Sequence, residues 1–77
     1  MNQTYEIAFG KNIRTLRKKK KLTQEQLSAQ LQVQGCDITR SALAKIEVGQ
    51  RHLYPDEIRL LKELLDVSFE ELFYFKS

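Results

Sequence analysis

Four residues in the segment RSALAK, residues 40–45, have types and spacing suited to recognising another molecule. Arg40, Ser41, Ala44 and Lys45 follow the spacing i, i+1, i+4 and i+5, which at about 100° per residue places them on one helix face. Arg and Lys can donate to O6 and N7 of guanine, Ser can donate or accept, and Ala allows close approach or contacts a thymine methyl. Such a face suits the DNA major groove, although a solvated helix surface looks similar.

The other side of this helix is predicted to be buried, and the helical wheel places three residues there: Thr39, Leu43 and Ile46. Thr39 is also the predicted N-cap of a helix over residues 40–47, with Ile38 anchoring the turn before it. Gly49 can adopt a positive φ at little steric cost and would end this helix.

The helix before it is predicted over residues 24–33. Its start carries the capping-box sequence TQEQ, residues 23–26, in which the Thr23 hydroxyl accepts from the Gln26 amide and the Gln26 side chain reaches back. Its buried side is predicted to carry three apolar residues: Leu27, Leu31 and Val33. Gly35 then offers a left-handed exit from the helix.

The first helix is predicted between Tyr5 and Lys21, with an apolar stripe formed by Phe9, Ile13 and Leu16. A basic stripe lies roughly opposite and consists of Lys11, Arg14, Lys18 and Lys21. The lysine run at residues 18–21 falls at the C-terminal end, where cations complement the helix dipole. A structural role for that run is therefore at least as well supported as contact with phosphate.

Two more helices follow. Pro55 or Asp56 would start the fourth, whose apolar face repeats through Ile58, Leu61, Leu64 and Leu65. The sequence SFEE, residues 68–71, is a second capping box and would begin a short fifth helix that supplies Phe69, Leu72 and Phe73 to the core. Five helices and no strand are predicted, within a single domain over residues 1–77.

Charge is distributed unevenly along the chain, whose net charge is +3. Residues 1–51 hold ten Lys and Arg against four Asp and Glu, whereas residues 52–77 hold three against six. This asymmetry predicts a basic face for an anionic partner and a more acidic rear, although a solvated surface is equally compatible with it.

Several classes of function find no support in the residues. One Cys and one His, Cys36 and His52, make neither a disulfide nor a closed zinc site, so we expect no cofactor. No nucleophile and base set, paired carboxylates or Gly-rich phosphate loop indicates an enzyme or a small-molecule ligand. No apolar run approaches the roughly 18 residues of a membrane span, and MNQTYEIAFG is no signal peptide, so the predicted location is cytoplasmic.

A capped helix, a turn and a second capped helix with a basic outer face form a helix-turn-helix arrangement. With these parts the chain resembles the Cro/C1-type (Xre-like) helix-turn-helix domains of phage repressors and related bacterial regulators. The resemblance covers about residues 7–73 and is carried by the motifs IRTLRKKKKLTQEQLSAQL, ITRSALAKIEVGQ and LLDVSFEELF. It implies an all-α, five-helix, lambda-repressor-like fold in which the second and third helices form the helix-turn-helix.

The resemblance also implies roles for individual residues. Gln24 would contact a DNA phosphate, unless it serves only in N-terminal capping. The base-reading positions would be Arg40, Ser41 and Lys45, with Thr39 and Ala44 beside them. Three further residues would be structural: Arg17 and Glu47 as an ion pair between the first and third helices, and Gly49 as the turn that brings Gln50 or Arg51 to phosphate.

The resemblance implies a sequence-specific transcriptional regulator, a repressor, that binds palindromic double-stranded DNA as a homodimer with recognition helices about 34 Å apart. The alternative is a protein-interaction module on the same fold with little affinity for DNA. The late aromatic residues are predicted to pack in the core or to form a twofold interface: Tyr54, Phe69, Phe73, Tyr74 and Phe75.

The connection QVQGCD, residues 32–37, departs from the family pattern because it is about five residues longer than the usual tight turn. Either the second helix is a turn longer or the connection bulges, and both options affect how Gln24 is placed against the third helix. Cys36 belongs to this segment and is expected to be a small half-buried residue, with a redox sensor as the weaker alternative.

Overall fold

The computed structural model describes residues 3–75, which form five α-helices and no β-strand. The helices are α1 (Gln3–Lys19), α2 (Gln24–Val33), α3 (Arg40–Glu47), α4 (Pro55–Leu65) and α5 (Phe69–Phe73). The predicted all-α fold with five helices is therefore confirmed. No helix in this part of the chain is both long enough and apolar enough to span a bilayer.

Hydroxyl side chains cap three of the helices at the positions that the sequence predicts. Thr23 accepts a hydrogen bond from the Gln26 amide at the start of α2 and Ser68 accepts one from the Glu71 amide at the start of α5, and each forms a full capping box. Thr39 accepts from the Ala42 amide at the start of α3. Each cap satisfies an amide that has no partner inside its own helix, which fixes where the helix begins.

Left-handed residues follow four of the helices, and Asp66 after α4 is one of them, with φ 56°. Gly35 after α2 has φ 83° and Gly49 after α3 has φ 78°, as their positions in the sequence predict. Helix α1 ends at Lys19, two residues earlier than predicted, because Lys21 adopts φ 58°. This turn lets the Leu22 amide donate to the Arg17 carbonyl at 3.2 Å.

A single apolar core lies between the helices, and every helix contributes to it. The fully or almost fully buried apolar residues are Ile13, Leu16, Leu27, Leu31, Ile38, Leu43, Ile46, Leu61, Leu65 and Leu72. Phe9, Ile58, Leu64 and Phe73 pack against this core and are partly buried. The apolar stripes predicted on α1, α3 and α4 thus face the core, whereas Val33 of α2 was predicted to be buried and is 83% exposed.

Helix α1 lies between α3 and α5 and packs closely against both. A Cβ atom built on Gly10 would lie 2.4 Å from the Ile46 carbonyl oxygen and 2.7 Å from that of Glu47. On the α5 side, the Asn12 side-chain amide donates to the Leu72 carbonyl at 2.9 Å and to the Glu71 carbonyl at 3.1 Å. These contacts hold α1 against the C-terminal end of α3 and against the end of α5.

The connection between α2 and α3 forms a bulge and does not extend α2, which decides between the two options that the sequence left open. The Cys36 amide donates to the Leu31 carbonyl at 2.9 Å, so the chain folds back on the last turn of α2. Ile38, which was predicted to anchor this turn, is fully buried, and the Gln32 side chain donates to its carbonyl at 3.3 Å. Val33 is exposed because it lies two residues after Leu31 and therefore faces away from the buried side of α2.

Candidate nucleic-acid interface

The outer face of α3 carries the residues predicted to recognise a partner. Arg40, Ser41 and Lys45 are exposed and Ala44 is half-buried, while Leu43 and Ile46 face the core on the opposite side. Thr39 was predicted on the buried side of the wheel and is exposed instead. It precedes the helix, and its side chain turns to the Ala42 amide as a cap.

The polar side chains on this face have no internal partner. Within residues 3–75, the side chains of Arg40, Ser41 and Lys45 make neither a hydrogen bond nor an ion pair. Glu47, the acidic residue of α3, points inward and pairs with Arg17. The face therefore presents unneutralised donors to solvent, and guanidinium and ammonium groups of this kind bind base edges or phosphates.

A buried ion pair fixes α3 against α1. The Arg17 Nε donates to Glu47 Oε2 at 2.7 Å and Nη2 donates to Oε1 at 3.1 Å, with the two side chains 8% and 2% exposed. Arg17 Nη1 also donates to the Leu22 carbonyl at 2.8 Å, so this guanidinium joins α1, α3 and the turn before α2. The ion pair predicted between the first and third helices is present.

Gln24 completes this network from the first turn of α2. Its side-chain Nε2 donates to Glu47 Oε1 at 3.0 Å, a contact that the sequence did not predict. Each primary amide carries two donor hydrogens, so one Nε2 hydrogen is used inside the protein and the second is available to a phosphate. The longer connection thus leaves Gln24 placed directly against the last turn of α3.

The two residues of the loop after α3 that were predicted to contact phosphate lie in different environments. Gln50 is exposed, and its amide donates to the Lys45 carbonyl at 2.8 Å, which closes the C-terminal end of α3. Arg51 turns away toward α4, where Nη1 and Nη2 donate to Glu57 Oε1 and Oε2 at 3.2 and 3.1 Å. Its guanidinium is already bound by two hydrogen bonds to the Glu57 carboxylate, whereas the sequence predicted that it would approach phosphate.

Glu57 is the partner that sequence reasoning missed. Its Oε1 also accepts from the Tyr54 amide at 2.9 Å, which places the carboxylate in the capping position of α4. Burial acts to raise the pKa of Glu57, but the Arg51 and Tyr54 hydrogen bonds outweigh it and hold that pKa below its ordinary value. The signal was available, since Glu57 follows Tyr54 by the three residues of a capping box.

Two other residues of the chain have environments of interest. His52 in the loop after α3 places its Nδ1 2.5 Å from a carboxylate oxygen of Glu6, which ties that loop to the first turns of α1. Cys36 is half-buried, as predicted, and burial together with the Glu57 and Asp56 carboxylates raises the pKa of its thiol. Among the described residues no group of His, Cys, Asp and Glu side chains has the arrangement of a metal site.

Comparison with known proteins agrees with this geometry. The helix-turn-helix family model HTH_3 matches residues 13–72, which is well over half of the chain and extends from the middle of α1 into α5. The match includes the whole of α2, α3 and their connection. No curated protein and no solved structure matched the chain.

Proposed function

We propose that this chain, which belongs to the Cro/C1-type helix-turn-helix family, is a sequence-specific DNA-binding regulator of transcription that acts as a repressor. The family resemblance carried by the motifs is confirmed, and the family is a DNA-binding, non-enzymatic domain type. In this proposal α3 enters the major groove of double-stranded DNA, and α2 with residues 48–51 approaches the phosphates.

The observation that supports this proposal best is the unpartnered outer face of α3. Arg40 and Lys45 stand exposed just over one helical turn apart, with Ser41 and Ala44 between them. Because the Arg17–Glu47 pair and the core residues Leu43 and Ile46 hold the other side of α3, the backbone of this face is fixed before it meets DNA. A helix that is already held in place loses little backbone entropy on binding, which favours selective recognition.

The neighbouring residues are assigned supporting roles. Thr39 and Ala44 would border the bases that Arg40, Ser41 and Lys45 contact, and Gln24 would give its second Nε2 hydrogen to a phosphate while keeping Glu47. Gln50 is exposed beside the end of α3 and suits a phosphate contact. Arg51 would reach phosphate only by exchanging its contact with Glu57, so we assign it a minor share of the affinity.

A homodimer on a palindromic site, in the cytoplasm, completes the proposal. Two of the late aromatic residues are strongly exposed, Tyr54 and Tyr74, and Phe69 is about half exposed. Exposed aromatic side chains of this kind are common at protein interfaces. They favour a twofold contact, and they also favour the second candidate function, a module that binds another protein through this surface.

Selection of bound sequences from a random duplex library separates the two functions. The winning duplex is then titrated with the full chain at several salt concentrations. A palindromic winner and a steep fall of affinity with salt are expected for a dimer that binds specific DNA. Weak binding without sequence preference would contradict the proposal and favour the protein-interaction module.

A further inference from the structure

Helix α1 lines the same surface as the outer face of α3. Two adjoining grooves lie there, and Arg14 and Gln24 line both of them. The first groove also contains Arg17, Thr23, Glu25 and Arg40. The second also contains Ile7, Lys11, Ala44, Glu47 and Val48. Residues of α1 are therefore direct neighbours of the face that is proposed to enter the major groove.

The available charge in these grooves is positive. Arg17 and Glu47 neutralise each other in their buried pair, which leaves Lys11, Arg14 and Arg40 against the single exposed carboxylate of Glu25. Lys11 and Arg14 are exposed, and within residues 3–75 their side chains make no hydrogen bond or ion pair. The positive charge on this edge thus continues from α3 onto α1 without an internal partner.

The spacing of these side chains suits a DNA backbone. Lys11 and Arg14 are three residues apart on one helix face. Arg14 lines the first groove together with Arg40, and Lys11 lines the second together with Ala44. A helix that enters the major groove has a phosphate strand along each side of it. Arg binds phosphate oxygens through two parallel hydrogen bonds, and Lys binds them as a point charge.

We infer that α1 forms part of the DNA interface, with Arg14 and Lys11 binding backbone phosphates beside the major groove that α3 occupies. This inference rests on the proposed function and gives a role to two residues of the basic stripe of α1, which lie outside the base-reading face of α3. Phosphate contacts carry no sequence information, so Arg14 and Lys11 add affinity and fix the orientation of α3 without contributing to the choice of bases.

The test compares Arg14→Gln and Lys11→Gln with Arg59→Gln, which removes an equal charge from the exposed surface of α4, where Arg59 pairs with Glu63 at 3.6 Å. Dissociation constants are measured for the selected duplex and a scrambled duplex between 50 and 200 mM salt. The proposed dimer carries each substitution twice, so one variant removes two phosphate-binding cations from the complex. The slope of log K against log salt should then fall by about 1.8, which is about twelvefold less affinity change across this range.

Arg14→Gln and Lys11→Gln should weaken binding to the selected and scrambled duplexes by the same factor, while Arg59→Gln keeps the slope of the parent chain. An unchanged slope in both α1 variants, or a weakening confined to the selected duplex, would overturn the inference. The parent chain distinguishes this failure from failure of the proposed function. If the proposed function were wrong, the unsubstituted chain would bind the selected and scrambled duplexes equally. Circular dichroism of each variant serves as a control for folding. No change is expected, because these exposed side chains make no contact that stabilises the fold.

Discussion

Arg17 of α1 and Glu47 of α3 form a bidentate ion pair, in which Nε donates to Oε2 at 2.7 Å and Nη2 donates to Oε1 at 3.1 Å. Both side chains are almost completely shielded from water. The pair joins the first helix to the last turn of the helix proposed to recognise DNA. Gln24 and the Leu22 carbonyl bind at the edge of this pair. The position of α3 thus depends on two buried charges that satisfy each other.

Removal of either charge should destabilise the protein strongly. Arg17→Met or Glu47→Leu leaves the other group buried and unpaired, and we expect a loss of about 3–5 kcal/mol in the free energy of unfolding. Urea denaturation at neutral pH measures it. The double variant Arg17→Met/Glu47→Leu should recover much of the loss, because no charge remains buried. A single variant that costs under about 1 kcal/mol would mean that the pair behaves as an exposed one.

Gly10 should not tolerate a side chain. In an isolated helix, Gly→Ala gains about 1 kcal/mol, but a Cβ here meets the Ile46 and Glu47 carbonyl oxygens at 2.4 and 2.7 Å. Separation of α1 from α3 should cost about 1–3 kcal/mol, so Gly10→Ala is expected to lower the melting temperature. Ala29→Gly, on the exposed side of α2, gives the propensity effect alone. A more stable Gly10→Ala variant would contradict this packing.

The sequence predicted the local features of this fold well. The starts of α2, α3 and α5 depend on a Thr or Ser and on a residue three positions later, as at Thr23 and Gln26, and such contacts can be inferred from spacing alone. The outer face of α3 was found for the same reason, because helical periodicity fixes which residues share a side. The Arg17–Glu47 pair was available only through the family resemblance.

Contacts between elements were harder to predict. Val33 was predicted to be buried, yet it lies two residues after Leu31, on the opposite side of α2, and the apolar residue buried after this helix is Ile38 of the bulged connection. Arg51 was expected near phosphate, but Glu57 of α4 binds it. The close approach of Gly10 to α3 leaves no mark in the sequence beyond a glycine inside a helix. For Arg51 and Gly10 the outcome depends on a partner from another element, which periodicity does not identify.

The Glu57 carboxylate should make stability depend on pH. Although burial acts to raise its pKa, the bonds from Arg51 and the Tyr54 amide hold that pKa below the value in the unfolded chain. The folded state therefore binds fewer protons, so this contribution is present above the unfolded pKa of about 4.3 and is lost as pH falls through the folded pKa.

Urea denaturation from pH 7 to pH 3 tests this contribution by comparing the parent chain with Glu57→Gln. The stability difference should be constant above about pH 5 and shrink below about pH 4. Glu63→Gln removes an exposed carboxylate from the same helix and serves as the control for the loss of one negative charge. If the free energy of unfolding changed with pH in the same way for the parent chain and for Glu57→Gln, the Arg51–Glu57 hydrogen bonds would not lower the pKa of Glu57.

The Cys36 thiol should react slowly with alkylating reagents. Burial and the Glu57 and Asp56 carboxylates raise its pKa. The fraction of Cys36 present as the reactive thiolate at pH 8 is therefore smaller than for an unperturbed cysteine. Iodoacetamide labelling followed by mass spectrometry should give a lower rate than for a short cysteine peptide, and Glu57→Gln should increase the rate. Labelling as fast as that of the peptide would show that the thiol is neither shielded nor perturbed, and would favour the redox-sensor alternative.

Arg40 and Lys45 should determine the DNA sequence that the chain prefers. Each side chain is exposed on α3 without an internal partner, so replacement by Ala should leave the melting temperature within a few degrees of the parent chain. Removing one good bidentate contact to a base should weaken binding to the selected duplex by about 1–3 kcal/mol. Binding to a scrambled duplex should weaken less.

The base preference supplies the sharper measurement for these two variants. Repeating the library selection with Arg40→Ala and with Lys45→Ala should relax the preference at different positions of each half-site, because the two side chains lie just over one helical turn apart along the groove. Ser28→Ala on α2 changes a buried hydroxyl away from this face and should preserve the selected sequence. If both α3 variants selected the same sequence as the parent chain, another surface would have to read the bases, and the assignment of α3 as the recognition helix would be wrong.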